Sequence, residues 1–234
     1  MEKKGQSMKV LGIETSTGSG SVAVLEGDKV LGEFFLNLGP THTEKLLPML
    51  DWLLKEVGVE KNEIEGIAVS KGPGSFTALR VGISTAKGLA FTLGIPVVGV
   101  SSLEVLARNL LFTPLCICSL IDAKKKELYA ALFRYSDTNL NRITNDILIS
   151  PDDICEMISE KTIFIGNGAL HYRDFLINSL GELALFCPSD INFPKALSCA
   201  LIGSYMFKNG NKDDLSALAP QYLRKSEAEI YRDG

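Results

Sequence analysis

The chain opens with three short apolar runs that are separated by turn residues. The runs lie at residues 9–13, 21–25 and 30–36, with Gly18-Ser19-Gly20 and Gly27-Asp28 between them. Short segments rich in Val, Ile and Phe that are joined by glycine or aspartate turns are typical of antiparallel strands. The pattern therefore predicts an antiparallel meander of three strands at the start of the chain.

The apolar period changes after the third run. Over residues 46–57 leucine and valine recur three and four positions apart, which predicts an amphipathic helix. Thr41 and Glu44 precede it with the spacing of a capping box, in which each side chain satisfies a free amide of the first turn. Pro48 lies so close to the start that it should bend this helix without ending it.

Strands then alternate with helices. We expect a strand at residues 64–69, a helix at 76–93 and a strand at 97–100, an order that indicates crossover connections and parallel pairing. In the second half, residues 120–123 form an apolar run that ends in a carboxylate, and a turn connects it to a second apolar run at 128–132. This short pattern is similar to that of residues 12–15 and 22–24. An α/β fold of mixed sheets flanked by helices is completed by predicted strands at 143–149 and 163–165 and by predicted helices at 151–159, 170–180 and 195–207.

Composition limits the classes of function. The chain has 234 residues, of which 46% are hydrophobic and 22% charged, values close to those of soluble globular proteins. Its net charge of −4 lacks the basic excess of a protein that binds nucleic acid unaided, and the lysine triplet at residues 124–126 is typical of a solvated turn.

No membrane-spanning run or signal-peptide core is visible, so we expect a cytoplasmic protein without membrane contact. The five cysteines, of which only Cys116 and Cys118 are close in sequence, are expected to be reduced thiols.

A glycine loop at residues 71–77 lies between a predicted strand and a predicted helix. Free backbone amides and the helix dipole favour an anion at such a position. The loop lacks the GK[ST] of a Walker A loop, the glycine spacing of a dinucleotide fingerprint and the serine placement of a nucleophile elbow. Two interpretations stay open: a plain tight turn, or a phosphate or nucleotide contact by Gly72, Gly74, Ser75 and Thr77.

A second polar turn follows the first strand. Glu14, Thr15 and Ser16 place a carboxylate and hydroxyls at the strand end. In actin-like and sugar-kinase-like ATPases a turn of this kind faces nucleotide phosphate, so these three residues are candidate nucleotide contacts. Hydroxyls are also ordinary in turns, which keeps a purely structural role open.

Histidine is the scarcest polar residue, with only His42 and His171. A metal site on a helix commonly takes a second ligand four residues further on, where both side chains share one face. That position after His42 is Leu46, and His171 has no carboxylate or thiol beside it in the sequence. The sequence therefore predicts no metal site.

Two predicted helices carry patterns that are suited to helix packing. The first presents a broad leucine face formed by Leu46, Leu47, Leu50, Leu53 and Leu54. The second carries a small-residue stripe, in which small residues lie four positions apart, at Ala78, Gly82, Ala86 and Ala90. Small contact residues let helices approach to the short end of about 8–10 Å. The stripe predicts either close packing on the protein's own sheet or, together with the leucine face, a helix-bundle interface with another subunit.

Several of these segments together resemble the TsaB (YeaZ) family. The resemblance rests on Gly12-Ile13-Glu14-Thr15-Ser16, on His42-Thr43-Glu44 with Leu46-Leu47-Pro48, and on the Gly-Pro-Gly-Ser-Phe-Thr motif that opens residues 72–82. Shorter matches follow at 87–90, 99–103, 121–123, 166–169 and 220–224. Ala78 departs from the second glycine that the family usually has after Ser-Phe-Thr, although alanine preserves the small-residue pattern.

The resemblance implies an actin-like (ASKHA, ribonuclease H-like) fold with two lobes. We expect an N-terminal lobe at residues 1–105 that is completed by the helix near 195–208, a smaller lobe at 106–194 and a C-terminal tail at 209–234. The resemblance also implies a non-catalytic dimerisation subunit in the synthesis of threonylcarbamoyladenosine beside the tRNA anticodon. Its catalytic counterpart, TsaD, binds a metal through a histidine pair; His42 matches the first histidine and Leu46 stands in place of the second.

Partners and cofactors are implied by the same resemblance. The leucine face and the small-residue stripe would contact a TsaD-like catalytic subunit, or a second copy of this chain when that partner is absent. A TsaE-like ATPase is a further expected partner, and tRNA is expected only through the complex. No cofactor is required, with weak ATP or ADP binding expected at most at a complex interface.

Two other functions stay open. One is a self-sufficient actin-like ATPase or small-molecule kinase, with Glu14, Thr15, Asp122 and the glycine loop lining its cleft. The other is a peptidase, for which the sequence holds no HExxH motif and no nucleophile elbow.

Overall fold

The structure is a computed structural model that describes residues 7–37 and 42–224, with side chains from residue 45 onward in the second range. These residues form two compact units. Unit 1 comprises residues 7–37, 42–71, 77–100 and 195–219, and unit 2 comprises 72–76, 101–194 and 220–224. None of the helices in these ranges is long and apolar enough to cross a membrane.

Unit 1 is built on a five-stranded mixed sheet. Its strands are β1 (Lys9–Glu14), β2 (Ser19–Glu26), β3 (Lys29–Asn37), β4 (Gly66–Gly72) and β5 (Val97–Ser101), in the order β3-β2-β1-β4-β5. Strand β2 is antiparallel to both β1 and β3, and β1 is parallel to β4. The predicted meander and the parallel pairing that follows it are both confirmed.

Helices cover both faces of this sheet. On one face α1 (His42–Val57) and α2 (Phe76–Leu93) join an apolar cluster with alternate strand residues such as Leu11 and Ile13. Pro48 lies inside α1 without ending it, as predicted. Because side chains of a strand alternate between faces, Gly12 points to the other face, where α7 (Ala196–Lys208) packs.

Two strand side chains satisfy the free amides at the start of α7. The Ala196 amide donates to Ser21 Oγ (2.7 Å), and the Leu197 amide donates to Glu33 Oε1 (2.9 Å). The first amides of a helix have no partner within the helix, so these strand groups fix where α7 begins. The helix is thereby tied to β2 and β3 as well as packed on β1.

Unit 2 is a second mixed sheet with helices. In chain order the elements are α3 (Ser102–Ala107), β6 (Cys116–Lys124), β7 (Glu127–Ser136), β8 (Asn139–Arg142), β9 (Ile147–Ile149), α4 (Pro151–Glu156), β10 (Thr162–Ile165), α5 (Asn167–His171), α6 (Arg173–Leu180) and β11 (Ala184–Phe186). The strands lie in the order β11-β10-β6-β7-β8, with β9 also paired to β7. Strands β6, β10 and β11 are parallel, and β7 is antiparallel to its neighbours. All five cysteines are free thiols.

The structure differs from the predicted elements mainly in unit 2. Of the strand expected at 143–149 only the end is a strand, β9. Strand β8 precedes that range and was not predicted, because it is an exposed polar edge strand that leaves no apolar pattern. The helix expected at 170–180 is two helices, since Tyr172 has a non-helical backbone between α5 and α6.

Residues 209–219 belong to unit 1 rather than to a separate tail. The Asp213 carboxylate accepts from the Gly99 amide (2.6 Å), and Lys87 Nζ donates to the carbonyls of Ser216 (3.2 Å) and Leu218 (3.1 Å). Within the expected N-terminal lobe, residues 72–76 and 101–105 belong to unit 2.

We predict that Gly12→Ala destabilises the protein, since a Cβ at Gly12 would overlap the carbonyl oxygen of Ala196 and lie 2.9 Å from Ala200 Cβ. Overpacking a core costs about 1–3 kcal/mol, and we expect a loss in this range in urea denaturation. Gly18→Ala is the matched control, because no atom lies within 4 Å of a Cβ there. Equal stabilities of the two variants would show that β1 and α7 are not in close contact.

Candidate functional site

The turn after β1 contains a buried carboxylate. Glu14 is fully buried; its Oε1 accepts from the Ser16 amide (2.6 Å), and its Oε2 accepts from the Ser70 hydroxyl. Burial raises the pKa of Glu14 from 4.5 to about 7, and the hydrogen bond from the Ser16 amide only partly opposes this shift. The ends of β1 and β4 are therefore joined by a polar network inside unit 1.

Thr15 connects the same turn to α2. Its hydroxyl donates to the carbonyl of Ala78 (2.8 Å), and a Cβ at Gly82 would overlap Thr15 Oγ1. Only glycine fits at position 82, because the threonine occupies the space that a side chain would need. The first half of the small-residue stripe thus receives the β1 turn of the same chain.

The candidate nucleotide contacts differ in their exposure. Glu14, Thr15 and Ser16 are buried in unit 1, and the Ser16 hydroxyl has no hydrogen-bond partner among the described atoms. Gly72, the last residue of β4, is buried with a φ of 108°, and Gly74 in the following loop is half-buried. Ser75 in the loop and Thr77 in the first turn of α2 are exposed. In unit 2, Phe76 stacks on Tyr222 with ring centroids 4.4 Å apart. A nucleotide contact by these seven residues stays a prediction, for which the exposed hydroxyls are those of Ser75 and Thr77.

The predicted interface residues require a correction. Eight of the nine are buried inside unit 1: Leu46, Leu50, Leu53, Leu54, Ala78, Gly82, Ala86 and Ala90. The seven leucines and alanines among them are at most 3% exposed, and a Cβ at Gly82 would overlap Thr15. They join the apolar core beneath α1 and α2 or receive the β1 turn. Only Leu47, with 57% exposure, can contact a partner directly.

Another set of residues on the same helices reaches the surface. On α2 the exposed row is Arg80, Ser84, Gly88 and Phe91, and on α1 it is Leu47, Pro48 and Asp51. We call these seven residues the helix surface. Phe91 is 79% exposed, and a Cβ at Gly88 would meet open space. Residues 80, 84 and 88 have the same four-residue spacing as the small-residue stripe, which lies two positions earlier in the sequence. Sequence reasoning selected the small-residue stripe because its residue types are more uniform.

The histidines do not form a metal centre in the described part of the chain. Leu46 lies in the core of unit 1, while Thr41 and the side chains of His42 and Glu44, including the predicted capping box, lie outside the described residues. No group of three or more His, Cys, Asp or Glu among the described residues could hold a metal.

His171 does have a carboxylate nearby, which the sequence order concealed. Its Nδ1 lies 3.9 Å from Asp122 Oδ2, because α5 packs on β6. Lys124 donates to the same carboxylate through its amide (2.8 Å) and its Nζ (2.7 Å). Burial raises the pKa of Asp122, but the hydrogen bonds from Lys124 outweigh it and hold that pKa below its ordinary value. The Asp122 carboxylate is thus already paired with a lysine.

We predict that Glu14 makes stability depend on pH. The folded state holds the Glu14 proton up to about pH 7 and the unfolded state only up to about pH 4.5. The contribution of Glu14 to stability is therefore fully present below pH 4.5 and is lost as pH rises through 7. Glu14→Gln removes this titration and keeps an acceptor for the Ser16 amide. From pH 5 to pH 8, the free energy of unfolding of the variant relative to the native chain should rise by about 2–3 kcal/mol in urea denaturation. Parallel pH dependences of the two proteins would contradict the assignment.

Comparison with known proteins places this geometry in a family. The model described as TsaD: tRNA N6-adenosine threonylcarbamoyltransferase matches residues 37–232. The tRNA threonylcarbamoyladenosine biosynthesis protein TsaB of Bacillus subtilis (strain 168) is 34% identical over 139 residues, which cover 59% of this chain and 61% of the relative. The chain thus spans about three fifths of the length of that curated relative.

Solved structures agree on the fold. YeaZ from Pseudomonas aeruginosa is similar with a TM-score of 0.80 and 25% identity, over 92% of this chain and 100% of that chain. The ROK hexokinase from Thermus thermophilus, at a TM-score of 0.51 and 12% identity over 86% of this chain and all of its own, shares the fold alone. The predicted actin-like fold class is confirmed. With a family model that covers most of its length, the chain belongs to the family that the TsaD model describes, and within it the chain is similar to the TsaB (YeaZ) proteins.

Proposed function

We propose that this chain is the non-catalytic dimerisation subunit of a tRNA threonylcarbamoyladenosine threonylcarbamoyltransferase complex, in which it binds and supports a TsaD-like catalytic subunit. The observation that carries the proposal is a family match over residues 37–232 in a chain whose Leu46 is buried in the core. By resemblance, the catalytic subunit has the second metal-binding histidine at that place. A leucine packed in the interior supplies no metal ligand.

The helix surface supports a role in protein contact. Phe91 and Leu47 are large apolar side chains that are mostly exposed on the helices of unit 1. Ser84 and Gly88 lie on the exposed side of α2, where small residues permit the close approach of a partner helix. Aromatic side chains are enriched in protein interfaces, so Phe91 is the principal contact that we propose on this surface.

The remaining partners belong to the same proposal. A TsaE-like ATPase binds the assembled complex, a second copy of this chain occupies the helix surface when the catalytic subunit is absent, and the complex works in the cytoplasm. No cofactor is required, and weak ATP or ADP binding occurs at most at a complex interface. Within unit 1 the Thr15 hydroxyl and the Glu14 carboxylate are engaged with protein groups, so neither is free to contact a nucleotide.

The alternative of a self-sufficient ATPase or kinase gains no support from a specific observation. Its two carboxylates are both engaged: Glu14 is fully buried, and Asp122 is paired with Lys124. Steady ATP turnover by the isolated chain that is lost in Asp122→Asn would favour this alternative.

We predict that Leu47→Asp combined with Phe91→Asp abolishes co-elution with the catalytic partner. Both side chains are exposed, so the variant should fold with an unchanged melting temperature. Removing two central apolar contacts of an interface costs about 2 kcal/mol or more, and we expect a fall of at least about thirtyfold in affinity and a matching loss of tRNA threonylcarbamoylation in a reconstituted mixture.

Tyr205→Asp is the matched control, because Tyr205 is an equally exposed aromatic residue on α7, which packs on the other face of the sheet. It should co-elute normally. Unchanged co-elution of the double variant would refute the helix surface as the contact site. Substitutions at Leu50 or Ala86 are unsuitable for this test, because these residues lie in the core and their replacement by charged residues would unfold unit 1.

A further inference from the structure

The segment that follows α7 returns to the sheet of unit 1. We call these residues, 209–219, the strap. The Asp213 amide donates to the Val97 carbonyl (2.9 Å), and the Gly99 amide donates to the Asp213 carboxylate (2.6 Å). Leu218 is buried in the apolar core, and a Cβ at Gly99 would lie 2.9 Å from its side chain. The strap is thus fixed to β5, the edge strand of this sheet.

One side chain of α2 binds the strap. Lys87 Nζ donates to the carbonyls of Ser216 (3.2 Å) and Leu218 (3.1 Å). Asp214 holds this part of the strap in a turn, because its carboxylate accepts from the amide and the hydroxyl of Ser216 (2.8 Å each) and its carbonyl accepts from the Leu218 amide (2.9 Å). The hydrogen bonds from Ser216 hold the pKa of Asp214 below its ordinary value, and the Lys87 ammonium adds to this effect. The lysine therefore binds an ordered turn rather than a loose segment.

The second half of α2 is attached to the core by small side chains. Its buried residues beyond position 84 are Ala86 and Ala90, which place one methyl group each in the core. Gly88 lies between them, and glycine in a helix interior lowers helix stability relative to alanine. The first half has a polar tie to β1, since the Thr15 hydroxyl donates to the Ala78 carbonyl. The lysine contact with the strap is the corresponding polar tie of the second half.

This tie lies beside the helix surface. Positions three and four apart are neighbours on a helix, so Lys87 adjoins Ser84 and Phe91 and directly precedes Gly88. Gly88 permits the close approach of a partner helix, but it also loosens α2 where that partner would bind. A surface that is ordered before binding loses less conformational freedom on binding, and its affinity is higher for that reason.

We propose that Lys87 is a positioning residue for the helix surface, an inference that rests on the proposed function. By tying α2 to the strap, it holds the second half of the helix in the conformation that the catalytic subunit binds. It acts through the strap and not through a contact with the partner. The cost of ordering residues 88–93 is then met during folding and does not reduce the affinity for the partner.

The first test is Lys87→Met, which keeps the length of the apolar stem and removes the ammonium group. Its affinity for the TsaD-like catalytic subunit should fall about fivefold in titration calorimetry, at a temperature at which both proteins are folded. Amide hydrogen exchange of residues 88–93 should be faster in the isolated variant than in the native chain. Gly12→Ala is the control for lost stability, because it disturbs the contact with α7 on the other face of the sheet. It should bind with native affinity.

The second test, Asp214→Ala, distinguishes positioning from direct contact. It removes the carboxylate that holds the strap turn, so the lysine loses its ordered carbonyl partners while α2 keeps its sequence. We expect this variant to bind about as weakly as Lys87→Met, and the double variant to bind no more weakly than either single variant. Additive losses of affinity would overturn the inference, since they would assign the lysine to a contact with the partner.

The remaining outcomes also decide the matter. Native affinity of Lys87→Met, whatever its melting temperature, would refute the inference and leave the lysine a purely structural role. Equal weakening by Gly12→Ala would refute it as well, because lost stability alone would then explain the effect. Failure of the native chain to bind the catalytic subunit would overturn the proposed function and this inference together. Binding by the native chain with no change in Lys87→Met would overturn this inference alone.

Discussion

Strand β1 lies between two close contacts that leave no room for a side chain. On one side Gly12 touches the backbone of α7 at Ala196, and at the end of the strand Thr15 occupies the space beside Gly82 on α2. The rest of unit 1 depends on these contacts, because they bring both helices onto the sheet. The small residues at 12, 78 and 82 are explained by folding alone, without a partner.

This constraint changes what the helices can offer to another protein. Apart from Leu47, the leucine face of α1 packs in the core, and so does the small-residue stripe of α2. The surface that these helices leave open to the proposed partner is therefore the helix surface. The same packing places a leucine in the core where the catalytic subunit is expected to have a histidine. A buried apolar position and a metal ligand exclude each other, which fits a chain that keeps an enzyme's fold in a supporting role.

The sequence was sufficient for the architecture but not for the surfaces. Apolar periods predicted the meander, α1, α2 and α7, because long buried elements leave a strong pattern. They missed β8, which is polar and exposed, and they merged α5 with α6 across Tyr172. The stripe at Ala78, Gly82, Ala86 and Ala90 allowed packing on the sheet or on a partner, and only Thr15, 63 residues before Ala78 in the sequence, decided between them. The Asp122 and His171 contact was equally hidden, since it depends on the packing of α5 on β6.

The central claim is that the exposed row of α2 faces the partner while its alanine row stays in the core. Thiol labelling of Ser84→Cys and Ala86→Cys tests it most directly, with the unsubstituted chain giving the background of the five native cysteines. We expect the thiol at position 84 to react rapidly in the isolated chain and to be protected once the catalytic subunit is added, and the thiol at position 86 to react in neither state. A thiol at position 86 that reacts in the folded isolated chain and is protected by the partner, or a thiol at position 84 that reacts equally in both states, would contradict the account.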